Sequence, residues 1–401
     1  MKVLEYSLYF TMFTAFFPTP GYLYIQLFIS IIQFFMLMYL IANKKIALKE
    51  IGNKYTVFLI ALLIFAGISF LWVKDIASWL NYSAVLFIGT INTIILWFTI
   101  SQKNIVNNLV KITLLAIFLH NIVGWFEVIT GIYPFAFNID NIAYNQLLRR
   151  PITFFKNVND FATYLLFGLI FLISYEPIKN LFSKTPVKIN QVFKWLLVLS
   201  TFGLIIMVGS RGILLVSVLA MLLLAILKIN NSMYRKRILT IGVGFLAIAL
   251  IGLVVMFGLL DIDALNPEDS SRIYLTLNGI EYLKDTIFVG VGPGNVSYYL
   301  EAHRYYPVGH LRTIHNWWIE FLVMYGLVFF VLYIAMYIRN ILKSIQRFRL
   351  NQNYLYIFTT VWSIAFIVAS VISSSLYTTL WVIFIHNAMF IIVEKNNFYE
   401  F

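Results

Sequence analysis

The chain has 401 residues, of which 61% are hydrophobic and 11% are charged, and its formal net charge is +12. No soluble domain of this length has such a balance, so the composition predicts an all-α, polytopic integral membrane protein. Cysteine is absent, which excludes a disulfide framework, a thiol nucleophile and a cysteine-based metal site. We expect residues 1–401 to form a single membrane domain.

Apolar runs long enough to cross about 30 Å of hydrocarbon occur along the whole chain. They predict about twelve transmembrane helices, and two pairs of these are joined by short turns at 209–212 and 373–375. In chain order the predicted spans are 3–17, 21–42, 55–73, 78–100, 109–129, 158–175, 192–209, 211–228, 237–260, 315–338, 354–373 and 375–393.

The distribution of charge predicts how these spans are oriented. With the N-terminus in the cytoplasm, the inside segments hold 20 of the 29 Lys and Arg residues and 5 of the 17 acids. Cytoplasmic loops of membrane proteins carry such an excess of Lys and Arg. Both termini are therefore predicted to lie in the cytoplasm, and the large polar loop 261–314, between spans nine and ten, outside. The basic excess is thus a topology signal, and no nucleic-acid partner is expected.

The cations on the predicted outer side are not needed for orientation, and six of these nine are arginine. A planar guanidinium can grip a phosphate in two places. Arg211 lies at a turn between two spans, flanked by Gly209 and Gly212. It is interpreted as a ligand-binding charge, with a side chain that snorkels to the membrane interface as the alternative. For Arg149 and Arg150, ligand binding and simple loop charge are equally open.

His315 begins the tenth predicted span and is followed by Asn316 and, one turn on, by Glu320. An imidazole with an unperturbed pKa of about 6.5 can act as a general base. The alternative is an interfacial histidine beside Trp317 and Trp318, which suit the aromatic belt of a membrane protein.

Two segments before the outer loop resemble the O-antigen ligase/polymerase family of bacterial membrane glycosyltransferases. The segment 150–162 begins with Arg-Pro and continues to Asn-Val-Asn-Asp-Phe-Ala, and the segment 209–212 reads Gly-Ser-Arg-Gly. In 150–162 the family usually has glycine where this chain has Thr153.

Two further segments resemble the same family. In the outer loop, the resemblance begins at Ser271 and Arg272 and extends to the glycine-rich turn 290–295, which is predicted to be rigid. The pair His315 and Asn316 is followed after nine residues by Gly326, although Phe329 stands where the family favours a small residue. The four segments cover 150–330, the predicted core, whereas the first 140 residues match only in hydrophobic plan.

The resemblance implies a reaction on the outer face of the bacterial cytoplasmic membrane. Such enzymes pass a glycan from undecaprenyl pyrophosphate to a hydroxyl of an acceptor glycan, with inversion and without a metal or other cofactor. The resemblance implies that Arg211 and Arg272 bind the pyrophosphate leaving group and stabilise the charge that develops on it. His315 would orient or deprotonate the acceptor hydroxyl. The other predicted substrate-binding residues are Arg150, Asn159, Asn295, Arg304, Arg312, Asn316 and Glu320.

The resemblance leaves the type of transfer open between a polymerase and a ligase. A composition rich in Lys, Asn and Ile favours a Gram-positive host without lipid A-core, and hence a polymerase of capsule, exopolysaccharide or teichuronic-acid-like glycan. Predicted partners are the lipid-linked donor and acceptor and the bilayer, with a flippase and a chain-length regulator as further candidates. The alternative from another class is a transporter of lipid-linked oligosaccharide, which would place its charges near the middle of the membrane.

Overall fold

The computed structural model describes residues 2–18, 21–43, 53–100, 105–135, 142–175, 189–228, 267–309, 311–351, 353–373 and 379–395. This part of the chain contains fourteen α-helices and no β-strand. In chain order they are α1 (Lys2–Ala15), α2 (Tyr22–Ala42), α3 (Lys54–Ser69), α4 (Ile76–Thr99), α5 (Ile105–Thr130), α6 (Ile142–Leu147), α7 (Val158–Ser174), α8 (Gln191–Val208), α9 (Arg211–Lys228), α10 (Pro267–Asp285), α11 (Val296–Ala302), α12 (Trp317–Asn351), α13 (Tyr354–Ile372) and α14 (Leu380–Glu394).

Seven of the described helices are long and apolar enough to cross a membrane: α2, α4, α5, α8, α9, α12 and α13. Helices α3, α7 and α14 are equally apolar but shorter. The prediction of an all-α, multi-pass membrane protein is therefore confirmed. Eleven of the twelve predicted spans overlap described helices, while the ninth, 237–260, lies outside the described residues. The count of twelve stays a prediction.

Helices α7 and α13 lie at the centre of the bundle. Every residue of α7 from 160 to 172 is buried, and so is every residue of α13 from 354 to 363. A helix that is apolar on all sides needs neighbours on all sides, and α8, α9 and α13 pack around α7. The segment 150–157 leads directly into α7, and α13 ends beside it. The central helices thus hold the candidate site.

The tenth predicted span differs from the helix that the structure shows. Helix α12 begins at Trp317, continues well past 338 to Asn351, and is interrupted at Gly326 (φ 78°, ψ 174°). Its extension is held against α14, because Arg339 and Lys343 both pair with Glu394 at 3.2 Å. These cations, predicted to lie in a loop, are therefore helical.

At the end of the bundle opposite the candidate site, lysines bind the carbonyl groups that end helices. Lys228 Nζ donates to Ile173 O at 3.1 Å and Lys194 Nζ donates to Tyr175 O at 2.6 Å, both at the end of α7. The last carbonyls of a helix have no partner within it, and cations there are favourable. Predicted cytoplasmic cations thus also stabilise helix ends.

The predicted orientation can be tested with single cysteines, because the chain has none of its own. Lys284→Cys lies in the outer loop and Gln346→Cys lies on the extension of α12. We expect a membrane-impermeant thiol reagent to label position 284 in intact cells and position 346 only after permeabilisation. Labelling of 346 but not 284 in intact cells would reverse the orientation.

Candidate functional site

The C-terminal end of α13 is where two of the resembling segments meet. Ser373 Oγ lies 2.5 Å from Thr163 Oγ1 and donates to the Asn159 carbonyl at 3.2 Å. Next to it, Ile372 packs so closely on Gly212 that a Cβ at the glycine would lie 2.6 Å from Ile372 Cδ1. The starts of α7 and α9 are therefore fixed beside each other, and we call this end of the bundle the site end.

The segment 150–153 is held by a buried carboxylate. Glu127, in the last turn of α5, is 0% exposed, and its Oε2 accepts hydrogen bonds from Ile152 N and Thr153 N, both at 2.8 Å. On the same helix, His120 Nδ1 lies 3.0 Å from Thr153 Oγ1. Neither residue was selected from the sequence. An acid inside the apolar span 109–129 was the signal available for Glu127.

Thr153 has a φ of +53°, in the left-handed region that β-branched residues rarely adopt. Glycine, which the resembling family usually has at this position, would adopt this φ without strain. The threonine hydroxyl gains the contact with His120 in return. The departure therefore keeps the backbone path of the segment.

The two neighbouring arginines have different environments. The Arg149 Nη1 donates to the carbonyls of Val128, at 3.2 Å, and Ile129, and so caps the end of α5. Arg150 instead lies against the next resembling segment, since a Cβ at Gly209 would be 3.2 Å from Arg150 Nε. Arg149 thus fits the alternative of a simple loop charge. Arg150, in contrast, lies beside the turn that carries Arg211.

Gly209 ends α8 with a φ of +75°, and Arg211 is the first residue of α9. The turn requires glycine at 209 for two reasons: the left-handed backbone and the close approach of the Arg150 guanidinium. The Arg211 side chain is exposed at the site end. The Arg150 guanidinium, from the segment before α7, therefore lies beside the turn that leads into Arg211 at the start of α9.

His315 directly precedes α12 and has a φ of +56°. Burial, together with the positive charge of nearby Arg272 in α10, lowers the pKa of His315 to about 4. The imidazole is therefore neutral at physiological pH, so one ring nitrogen has a lone pair for a donor, while the lowered pKa makes it a weaker base than an ordinary histidine. Three residues on, Trp318 Nε1 donates to the Ile367 carbonyl of α13 at 3.3 Å. This contact ties the start of α12 to the site end.

The turn 290–295 docks on the break in α12. The interruption at Gly326 leaves carbonyls of α12 without helical donors, and these accept from Val291 N, at 2.9 Å to Val323 O, and Gly292 N, at 3.0 Å to Met324 O. The turn predicted from the sequence is present, and its N–H groups of 291 and 292 are bonded to carbonyls of α12.

A substitution at Gly326 tests this docking. A Cβ there would lie 2.2 Å from Val289 O, and the backbone conformation is one that essentially only glycine adopts. We expect Gly326→Ala to lower the thermal midpoint in detergent by several degrees, with at least about 1–2 kcal/mol lost to the backbone alone. Gly67→Ala in α3, where nothing lies within 4 Å of the added Cβ, is the control and should be neutral or stabilising. Equal midpoints for the two variants would contradict the docking.

Three predicted ligands in the outer loop are bonded to other groups of the protein. Asn295 is 0% exposed, and its Oδ1 accepts from Lys74 N at 2.7 Å and from Asp75 N at 2.9 Å. Arg304 Nη1 donates to Gly309 O at 2.7 Å. Arg312 is exposed and pairs with Glu301 at 2.5 Å. Each of them fixes the loop in this structure, and their binding of substrate stays a prediction.

The remaining two predicted ligands lie at the start of α12. Asn316 Oδ1 accepts from Trp318 N at 3.1 Å, and so caps the helix directly after His315. Glu320, one turn further, is only 2% exposed. The structure therefore gives Asn316 a local role in placing His315, and it buries Glu320 behind the surface of the site.

Several predicted residues thus lie around the site end. Asn159 is bonded to the end of α13, Arg150 lies beside the Gly209 turn that leads into Arg211, and His315 is linked to α13 through the start of α12 and lies near Arg272. The guanidinium groups can bind an anion, and the neutral imidazole beside Arg272 can accept a hydrogen bond.

Comparison with known proteins points to the family that the four segments resemble. Residues 195–334 match the family described as O-antigen ligase. The chain is 26% identical over 287 residues to the teichuronic acid biosynthesis protein TuaE of Bacillus subtilis (strain 168). The match covers 68% of this chain and 57% of that relative, so the chain spans less than two thirds of the relative's length. The matched segment 195–334 contains Arg211, Arg272 and His315.

Proposed function

We propose that this chain is a polysaccharide polymerase of the O-antigen ligase/polymerase family, which its matched segment and its relative resemble. It joins oligosaccharide repeat units carried on undecaprenyl pyrophosphate at the outer face of the cytoplasmic membrane. Two local observations support this proposal: Arg150 lies beside the Gly209 turn that precedes Arg211, and Arg272 lies near enough to a neutral His315 to lower its pKa. A transporter would instead need charges near mid-membrane.

The proposed step is an inverting displacement at the anomeric carbon of the donor glycan. The bond from this carbon to the pyrophosphate oxygen breaks, and the acceptor hydroxyl forms the new bond from the opposite side. Undecaprenyl pyrophosphate leaves with the electron pair, and Arg211 and Arg272 stabilise the charge that develops on it. The hydroxyl proton passes to His315, which is neutral and therefore able to accept it.

The acceptor is proposed to be a second lipid-linked glycan, because the relative is a teichuronic acid biosynthesis protein. The product is accordingly a teichuronic-acid-like polymer or a related capsule or exopolysaccharide glycan. The family description as O-antigen ligase favours a second candidate, the single transfer of a finished glycan to another acceptor. Both candidates use the same donor and the same site.

An assay with the purified protein in liposomes separates these functions. With a synthetic lipid-linked repeat unit as the sole glycan, a polymerase gives a ladder of products that lengthens with time. A ligase gives no ladder and one product after a separate acceptor is added. Movement of the repeat unit across the bilayer without a new glycosidic bond would overturn the proposal in favour of a transporter.

A further inference from the structure

We infer that Glu127 is a positioning residue for the donor site: it fixes the backbone of 150–153 so that the Arg150 guanidinium lies at the turn that carries Arg211. The inference rests on the proposed function, because it assigns Arg150 to binding of the donor pyrophosphate. It extends the site to a residue of α5 that lies outside the four resembling segments.

Glu127 cannot contact the substrate itself, because it is completely buried. One of its oxygens, Oε2, accepts both backbone N–H groups of Ile152 and Thr153 at 2.8 Å. The other, Oε1, is buried and has no hydrogen-bond partner among the described residues. Hydrogen bonds to a carboxylate are stronger than those between neutral groups. All the hydrogen bonds that the Glu127 carboxylate makes among the described residues thus go to the backbone of this segment.

The segment needs such an anchor because its backbone is strained. Arg149 and Thr153 both have a φ of +53°, a conformation that persists in non-glycine residues only where surrounding contacts enforce it. Tyr133 holds the other side, since its hydroxyl contacts the carbonyls of Asn145 at 3.1 Å and Arg150 at 3.0 Å. Arg150 therefore lies between two fixed points.

The position of Arg150 then follows from the anchors. Its carbonyl is held by Tyr133, the next two N–H groups are held by Glu127, and its Nε would lie 3.2 Å from a Cβ at Gly209. A long arginine side chain has many rotamers, so a fixed backbone decides whether its guanidinium reaches the turn. Loss of Glu127 should therefore weaken binding of the donor by displacing the Arg150 guanidinium.

A double-mutant cycle tests this dependence. Glu127→Leu, Arg150→Ala and the double variant are compared for affinity to undecaprenyl pyrophosphate in detergent micelles and for glycan transfer. We expect each single variant to weaken binding at least tenfold, mainly in KM, and the double variant to be no weaker than Arg150→Ala. Effects that multiply in the double variant would overturn the inference.

Two further variants separate positioning from general loss of packing. Glu127→Gln keeps an oxygen that accepts both N–H groups, so affinity should stay within a few-fold of wild type. A loss as large as that of Glu127→Leu would overturn the inference. Asn121→Leu is the matched control, since this buried residue of α5 bonds Thr201 at 3.0 Å and does not touch the segment. It should bind as wild type.

Amide hydrogen exchange over 150–157 gives a readout that does not depend on the ligand. We expect faster exchange in Glu127→Leu than in wild type and in Asn121→Leu, and unchanged exchange would overturn the inference. A wild-type protein that neither binds undecaprenyl pyrophosphate nor transfers glycan would overturn the proposed function. In that case exchange still decides whether Glu127 fixes the segment.

Discussion

Replacing Arg211 or Arg272 with alanine should abolish polymer formation in the liposome assay while the protein still folds. The proposed role of both side chains is to stabilise charge on the departing pyrophosphate, and removal of one such donor costs about 10²–10³-fold in rate. Lysine should rescue poorly at either position, because a point charge cannot reproduce the two-pronged grip of a guanidinium.

The matched control is Lys284→Ala, an outer-loop cation whose exposed ion pair with Glu281 contributes little to stability. It should polymerise at the wild-type rate, and thermal midpoints in detergent should confirm that every variant is folded. Normal polymer from the lysine variants of both Arg211 and Arg272 would show that neither is a bidentate phosphate ligand.

Replacing His315 with alanine should abolish transfer yet leave donor binding intact, because the arginines remain. General-base catalysis is typically worth about 10²–10⁴-fold. His315→Gln retains a hydrogen bond but cannot take up a proton, so activity well above that of alanine would indicate orientation instead. Wild-type transfer by His315→Ala would remove this residue from the mechanism.

The pH dependence follows from the same group. The pKa of His315 is lowered to about 4, so its neutral form predominates above that value and is lost only as the pH falls through it. We expect kcat/KM to show no His315-dependent step near the ordinary histidine pKa of about 6.5. A step there that vanishes in His315→Gln would contradict the lowered pKa. A chelating agent should leave the rate unchanged, since no metal is proposed.

The sequence predicted the helices better than their connections. Long apolar runs have one physical solution in a bilayer, which is a helix with all its backbone groups paired. The break at Gly326 was not predicted, because a glycine within an apolar run is compatible with an unbroken helix. Its conformation is set by the turn 290–295, which packs against it from a distant part of the chain.

Sequence reasoning selected candidate cations but not the residues that fix the segment before α7. Arg211 was selected for its charge and flanking glycines, and Arg150 because it begins a segment that resembles the family. Glu127 and Tyr133 act on the same segment through backbone atoms of other residues. Such contacts leave no pattern in the segment they hold, although an acid within an apolar span and the family departure at Thr153 were partial signals.

The docking of the turn 290–295 on the broken helix limits how specificity can be transplanted within the family. A donor loop exchanged alone would fit only a recipient whose helix is broken at the position of Gly326, so that the carbonyls of 323 and 324 can accept from its backbone. A workable chimera would carry residues from the start of α10 through Gly326 as one block, with its partner turn at 73–75 matched to Asn295. Exchange of glycan preference between relatives should therefore follow this block rather than the outer loop.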